Sequence, residues 1–72
     1  MNAIYTITDD ISPDNRTTGD LDEVIEALRG WHSEEPLGVP AETATVIDQL
    51  RQALNRREPT DGLEAALAIT VR

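Results

Sequence analysis

The sequence has no cysteine, no lysine and no phenylalanine, and only one tryptophan, one tyrosine, one histidine and one methionine among its 72 residues. Each scarcity excludes something. Without cysteine there is no disulfide, no thiolate metal site and no thiol nucleophile, which fits a reducing compartment. With Trp31 and Tyr5 as the whole aromatic complement, the core has to be built from Ile, Leu, Val and Ala. No stretch approaches the ~20 apolar residues of a membrane span, and the opening "MNAIYTITDD" has neither the basic region nor the apolar run of a secretory signal. The chain is therefore expected in the cytoplasm. All six basic residues are arginine, the usage of a GC-rich bacterial or phage genome, which makes the expected setting a bacterial host cell.

Positive charge is scarce as well. Six arginines face fourteen acids, for a net charge of −8 and a pI near 4.3. Direct binding to nucleic acid or to an anionic membrane is disfavoured, because Coulomb repulsion opposes encounter and few cations are present to replace phosphate counterions. A basic partner is favoured instead. At 72 residues the chain is read as a single domain, 1–72, burying only about 60% of the surface its unfolded form exposes, so a dimer or a bound partner would add to its stability.

What is present reads as α+β. Residues 2–8, "NAIYTIT", alternate Ala3, Tyr5 and Ile7 with Ile4, Thr6 and Thr8 and predict a strand. Residues 9–19, "DDISPDNRTTG", have the chemistry of a loop. Asp20 is placed to cap a helix, Glu23 to complete a capping box, and Leu21, Val24, Ile25 and Leu28 to form one apolar stripe; Gly30 follows as its stop, giving a helix over 21–29. "WHSEEPLGVP" reads as a connection in which Trp31 and Leu37 pack back over the helices. Pro40 suits a helix start, and Ala44, Ile47, Leu50 and Leu54 predict a second helix to about residue 56.

After the turn signal "EPTDG", Leu63, Ala65, Leu67, Ile69 and Val71 alternate with polar and small residues. This predicts a strand over 65–71, with room for a helical turn before it, although "LEAALA" has helical propensity. The expected fold is β-α-α-β: two helices packed on a short sheet formed by the N- and C-terminal strands. A two-stranded sheet has two exposed edges, so a homodimer joined edge to edge is one expected assembly.

No reaction is legible. A nucleophile needs a base within reach and an orienting third group, and neither Ser12 nor Ser33 stands in a G-x-S-x-G setting. His32, beside Trp31, reads as a surface or interhelix histidine. The loop before the first helix is rich in oxygen ligands, but counting from Asp14 as the first position of a calcium loop puts Arg16, Thr18 and Ile25 at the third, fifth and twelfth. No Asp-Ser-Leu opens a helix, so the likeness to phosphopantetheine carriers ends at size and charge. The four scattered glycines make no phosphate loop. The expectation is a protein without catalysis, metal or cofactor.

The charge pattern carries more. Residues 9–35 hold nine acids against Arg16 and Arg29, a net of −7, whereas residues 36–72 hold five acids against four arginines, a net of −1. One reading is a solvated acidic face. The other is a surface that imitates the spaced charge of a nucleic-acid backbone and is steered onto a basic groove. Asp20, Asp22, Glu23, Glu26, Glu34 and Glu35 would supply the charge and Trp31, or Tyr5, a buried anchor. Asp20 and Glu23 have a sufficient reason as helix caps, which narrows the functional question to Asp22, Glu26, Glu34 and Glu35.

In size, charge and cysteine-free composition the chain resembles the short acidic proteins of phages and mobile elements that inhibit host defence, the anti-CRISPR proteins. The resemblance implies direct binding to a CRISPR effector subunit, at a nucleic-acid-binding surface and without catalysis. The reading is thus a non-enzymatic inhibitor of a basic, nucleic-acid-binding partner. The alternative is a small dimerisation or regulatory module, antitoxin-like or an accessory subunit, working by protein–protein contact.

Overall fold

The computed structural model describes residues 3–72. Asn2, the first residue of the predicted N-terminal strand, lies outside them. The chain is α+β, as expected, and the N- and C-terminal strands do pair, but there is one more strand and one more helix than the sequence reading supplies.

Strand β1 runs Tyr5–Asp9 and strand β2 runs Arg16–Gly19, joined as a hairpin, so the segment read as a loop over 9–19 contains a strand. Asp9 makes the turn. Its carboxylate accepts the backbone N–H of Ile11 at 2.9 Å and of Ser12 at 3.2 Å, an Asx arrangement that lets the chain reverse before Asn15 rejoins the ladder.

Helix α1, Leu21–Trp31, starts where the capping box predicts. Asp20 accepts the Glu23 N–H at 3.0 Å, and Glu23 returns the bond to the Asp20 N–H at 3.4 Å. Val24, Ile25 and Leu28 are fully buried, as the stripe requires. Gly30 does not stop the helix: it lies inside the last turn, and His32 is the C-cap. The connection then turns through a bridge between Glu34 and Gly38, where Gly38 takes φ 77°. Because this bridge closes the turn on itself, Leu37 stands at its tip and is 86% exposed rather than packed over the helices.

Helix α2, Ala41–Asn55, follows Pro40 at the N-cap. It ends in a Schellman motif: Glu58 N–H donates to the Ala53 carbonyl at 2.8 Å and Arg57 N–H to the Leu54 carbonyl at 3.2 Å, with Arg57 at φ 58°, where glycine is usual.

The strand predicted over 65–71 is a correction. Helix α3 occupies Asp61–Leu67, Ala68 caps it in the left-handed region at φ 54°, and only Ile69–Val71 form strand β3. Helical propensity in "LEAALA" wins because Leu63 and Leu67, four apart, face the core together, while Ala65 is exposed.

The sheet order is β2-β1-β3, all antiparallel. Ile7 on β1 and Ile69 on β3 point from one face into a core completed by Val24, Ile25, Leu28, Ile47, Leu50, Leu54 and Leu67. Helix α1 lies on β1 and β2, and α2 packs on α1 and α3. The opposite sheet face carries Thr6, Thr8, Thr18 and Thr70, with the Thr6 and Thr18 hydroxyls bonded at 2.8 Å, and among the described residues no helix packs on it.

Candidate functional site

Asp20 and Glu23 serve the cap of α1, as the sequence suggests, and Glu23 lies so close to β2 that a Cβ on Gly19 would fall 2.9 Å from its Cβ. Asp22 is not idle: it forms an ion pair with Arg51 of α2, clamping the two helices at their exposed edge. Glu35 accepts the Ser33 hydroxyl at 3.0 Å. Among the described residues no ion pair or side-chain hydrogen bond involves Glu26 or Glu34, and both are exposed. Trp31 is the last residue of α1 and is half-buried against the core, and Tyr5 is half-buried with its hydroxyl donating to the Leu54 carbonyl at 3.4 Å. Neither aromatic ring is a fully exposed anchor.

Several other acids have structural employment. Partial burial opposes ionisation of Asp9. The N–H groups of Ile11 and Ser12, the Asn15 amide and the nearby His32 outweigh it and hold the carboxyl below the usual carboxylate range. Asp10 accepts the Thr70 hydroxyl at 2.7 Å, tying the hairpin to β3. Glu64 accepts the Val71 N–H and the Thr60 hydroxyl, each at 2.8 Å. Asp14, at the hairpin tip, is exposed and has no such bond among the described residues. The acids of residues 9–35 therefore divide into those that hold the hairpin, the cap and the interhelix clamp, Glu35 with its local bond to Ser33, and those that only face water: Asp14, Glu26 and Glu34.

A cavity of about 360 Å³ opens between β1, α1 and α2, lined by Tyr5, Leu21 and Leu54 with Asp20 and Asp22 set against Arg51 and Arg57. Its charges balance, so it selects neither anion nor cation. Among the described residues no three His, Asp or Glu side chains are grouped to hold a metal ion. None of the helices there is long and apolar enough to cross a membrane.

The feature that sequence reasoning missed is strand β2 and the edge it presents. The signal was available: "SPDN" between β-branched runs, with Thr17 and Thr18 following, is hairpin chemistry. No family model, no curated protein and no solved structure matches this chain.

Proposed function

We propose that this protein is a non-enzymatic acidic binder that occupies the basic, nucleic-acid-binding surface of another protein and inhibits it, in the manner of the anti-CRISPR proteins it resembles. The observation that carries this reading is the division of labour among the acids. Six carboxylates are engaged in the hairpin turn, the α1 cap, the Arg51 clamp and the bonds that Asp10 and Glu64 make to β3. Asp14, Glu26 and Glu34 remain exposed and unpaired among the described residues, all within the stretch of net charge −7. Charge that a fold does not use raises association rates with a cationic surface and sharpens discrimination against anionic ones.

The test separates this from a merely solvated face. In Asp14→Asn combined with Glu26→Gln, Glu34→Gln and Glu35→Gln, no capping or clamping carboxylate is touched, so the variant folds. Wild-type protein is expected to retain a basic protein from a bacterial lysate and to release it when DNA is added; the variant retains much less. Equal retention by both, or retention indifferent to DNA, overturns the reading.

A further inference from the structure

The two edges of the sheet are not equivalent. Thr6 and Arg72 exchange both backbone bonds, at 2.9 and 2.8 Å, and Asp9 N–H donates to Asn15 at 2.9 Å. Alternate residues of β1 therefore face alternate neighbours: Thr6 and Thr8 bond β3, while Tyr5, Ile7 and Asp9 bond the β2 side. On β3 this turns Val71 N–H outward, where the Glu64 carboxylate accepts it at 2.8 Å and closes that edge. On β2 it turns Arg16 and Thr18 outward, and among the described residues no hydrogen bond reaches their N–H groups. One edge is blocked by a side chain, and the other is open.

The surroundings of the open edge specify what fits it. On the core side, Glu23, Ala27 and Trp31 stand at i, i+4 and i+8 along the flank of α1 nearest β2. Glu23 is placed there by its contact with Gly19, and the opposite flank is committed to α2 through Asp22 and Arg51. Ala27 and Trp31 are half-buried, with Trp31 packed against the core, so beyond Glu23 this flank leaves partly accessible apolar side chains on the side of α1 away from α2. Acids bracket it: Asp14 lies three residues before Thr17, the midpoint of the edge, and Asp20 three residues after.

We infer that the β2 edge receives an extended segment of the basic partner as a fourth, antiparallel strand. Its backbone pairs with Arg16 and Thr18, its apolar side chains rest on Ala27 and Trp31, and a cation at each end lies opposite Asp14 and Asp20. Strand addition of this kind draws affinity from main-chain bonds and specificity from alternate side chains. A second copy of the chain fits less well, since it brings a further net charge of −8 to an edge already bracketed by acids. The inference rests on the basic-partner reading and names where and how that partner docks.

The probe is the peptide Arg-Val-Thr-Val-Thr-Val-Arg, whose valines face α1 and whose threonines lie opposite Arg16 and Thr18. Its comparison is Arg-Val-Pro-Val-Pro-Val-Arg, equal in charge but lacking N–H at the two pairing positions. A third peptide carries Glu at both ends. With the first peptide at saturation, amide exchange followed by NMR is expected to slow about tenfold or more at Arg16 and Thr18, with no such protection from the proline or Glu-ended peptides. Equal binding of the two Arg-ended peptides without protection overturns strand addition while leaving the electrostatic reading standing. Binding by none of the peptides, or no preference for Arg ends over Glu ends, overturns the charge argument as well. Protection that appears without peptide and grows with protein concentration assigns the edge to a second copy and overturns the proposal.

Discussion

Glu64 Oε1 accepts the backbone N–H of Val71 at 2.8 Å, so a helix side chain occupies the outward hydrogen-bonding position of the terminal strand. Sheet edges invite pairing with other chains, and natural proteins block them by charge, by bulges or by covering elements. Here the blocking group is a carboxylate that also accepts the Thr60 hydroxyl, which holds α3 and β3 together on either side of their left-handed junction.

Removing that carboxylate has two consequences. Glu64→Ala leaves the Val71 N–H without its charged acceptor, a loss of about 1.5–3 kcal/mol in urea denaturation. It also opens β3, so sedimentation shows concentration-dependent self-association beyond that of wild type. Glu64→Gln keeps an acceptor oxygen and falls between the two. A monomeric Glu64→Ala protein of unchanged stability would show that the edge is closed by something else.

Two residues stand where glycine is favoured, Arg57 at φ 58° and Ala68 at φ 54°. Left-handed backbone costs an L-residue about 1–2 kcal/mol, so Arg57→Gly and Ala68→Gly each stabilise by up to about 1 kcal/mol after the entropy of the unfolded glycine is counted. The sites lie in separate caps, and the double variant should show additive urea midpoints. A destabilised Ala68→Gly would contradict the cap geometry.

Gly19 and Asp20 start α1 together. Asp20→Ala loses the cap bond and costs about 0.5–2 kcal/mol. Gly19→Ala drives a methyl to 2.9 Å from the Glu23 Cβ, a group with no freedom to withdraw, and costs about 1–3 kcal/mol. Thermal melts of both variants check this. The proposal for the β2 edge requires the same glycine, since the clash would push α1 away from the strand.

The pH dependence has a named contributor. Asp9 is held below its ordinary value of 3.8, so the folded state releases its proton more readily than the unfolded state. Its stabilisation is complete above that value and is lost as pH falls through the lower folded one. Urea midpoints of wild type should therefore drop below about pH 4, and Asp9→Asn, less stable at neutral pH, should show a shallower drop. Parallel curves would remove Asp9 from the acid response.

The legible parts of the fold are those with redundant signals. Asp20 and Glu23 mark the start of α1, and the spacing of Leu21, Val24, Ile25 and Leu28 independently marks its face; cap and burial agree. Strand β2 has no such support. Its contribution is backbone pairing alongside Tyr5, Thr6, Ile7 and Thr8, and of Arg16, Thr17, Thr18 and Gly19 only glycine is fully buried, so no apolar alternation announces it. The C-terminal stretch misleads for another reason. Leu63 and Leu67 belong to a helix and Ile69 and Val71 to a strand, and the change of period at Ala68 happens to keep the odd positions apolar throughout. For the site, the acidic stretch is visible in the sequence, but which acids are engaged is not. Asp22 finds Arg51 across 29 positions and Asp10 finds Thr70 across 60, pairings that only the tertiary fold creates.

The Asp22–Arg51 clamp is the one ion pair among the described residues of a chain with net charge −8. Most of its surface charge is therefore self-repelling, and the folded state works against its own electrostatic pressure. Raising ionic strength to about 0.15 M shortens the reach of that repulsion to about 8 Å, and the same screening weakens attraction to a cationic partner. Conditions that relax the free protein are thus those that would loosen the proposed complex. A cationic partner supplies locally what salt supplies everywhere, so docking and thermal resistance should rise together.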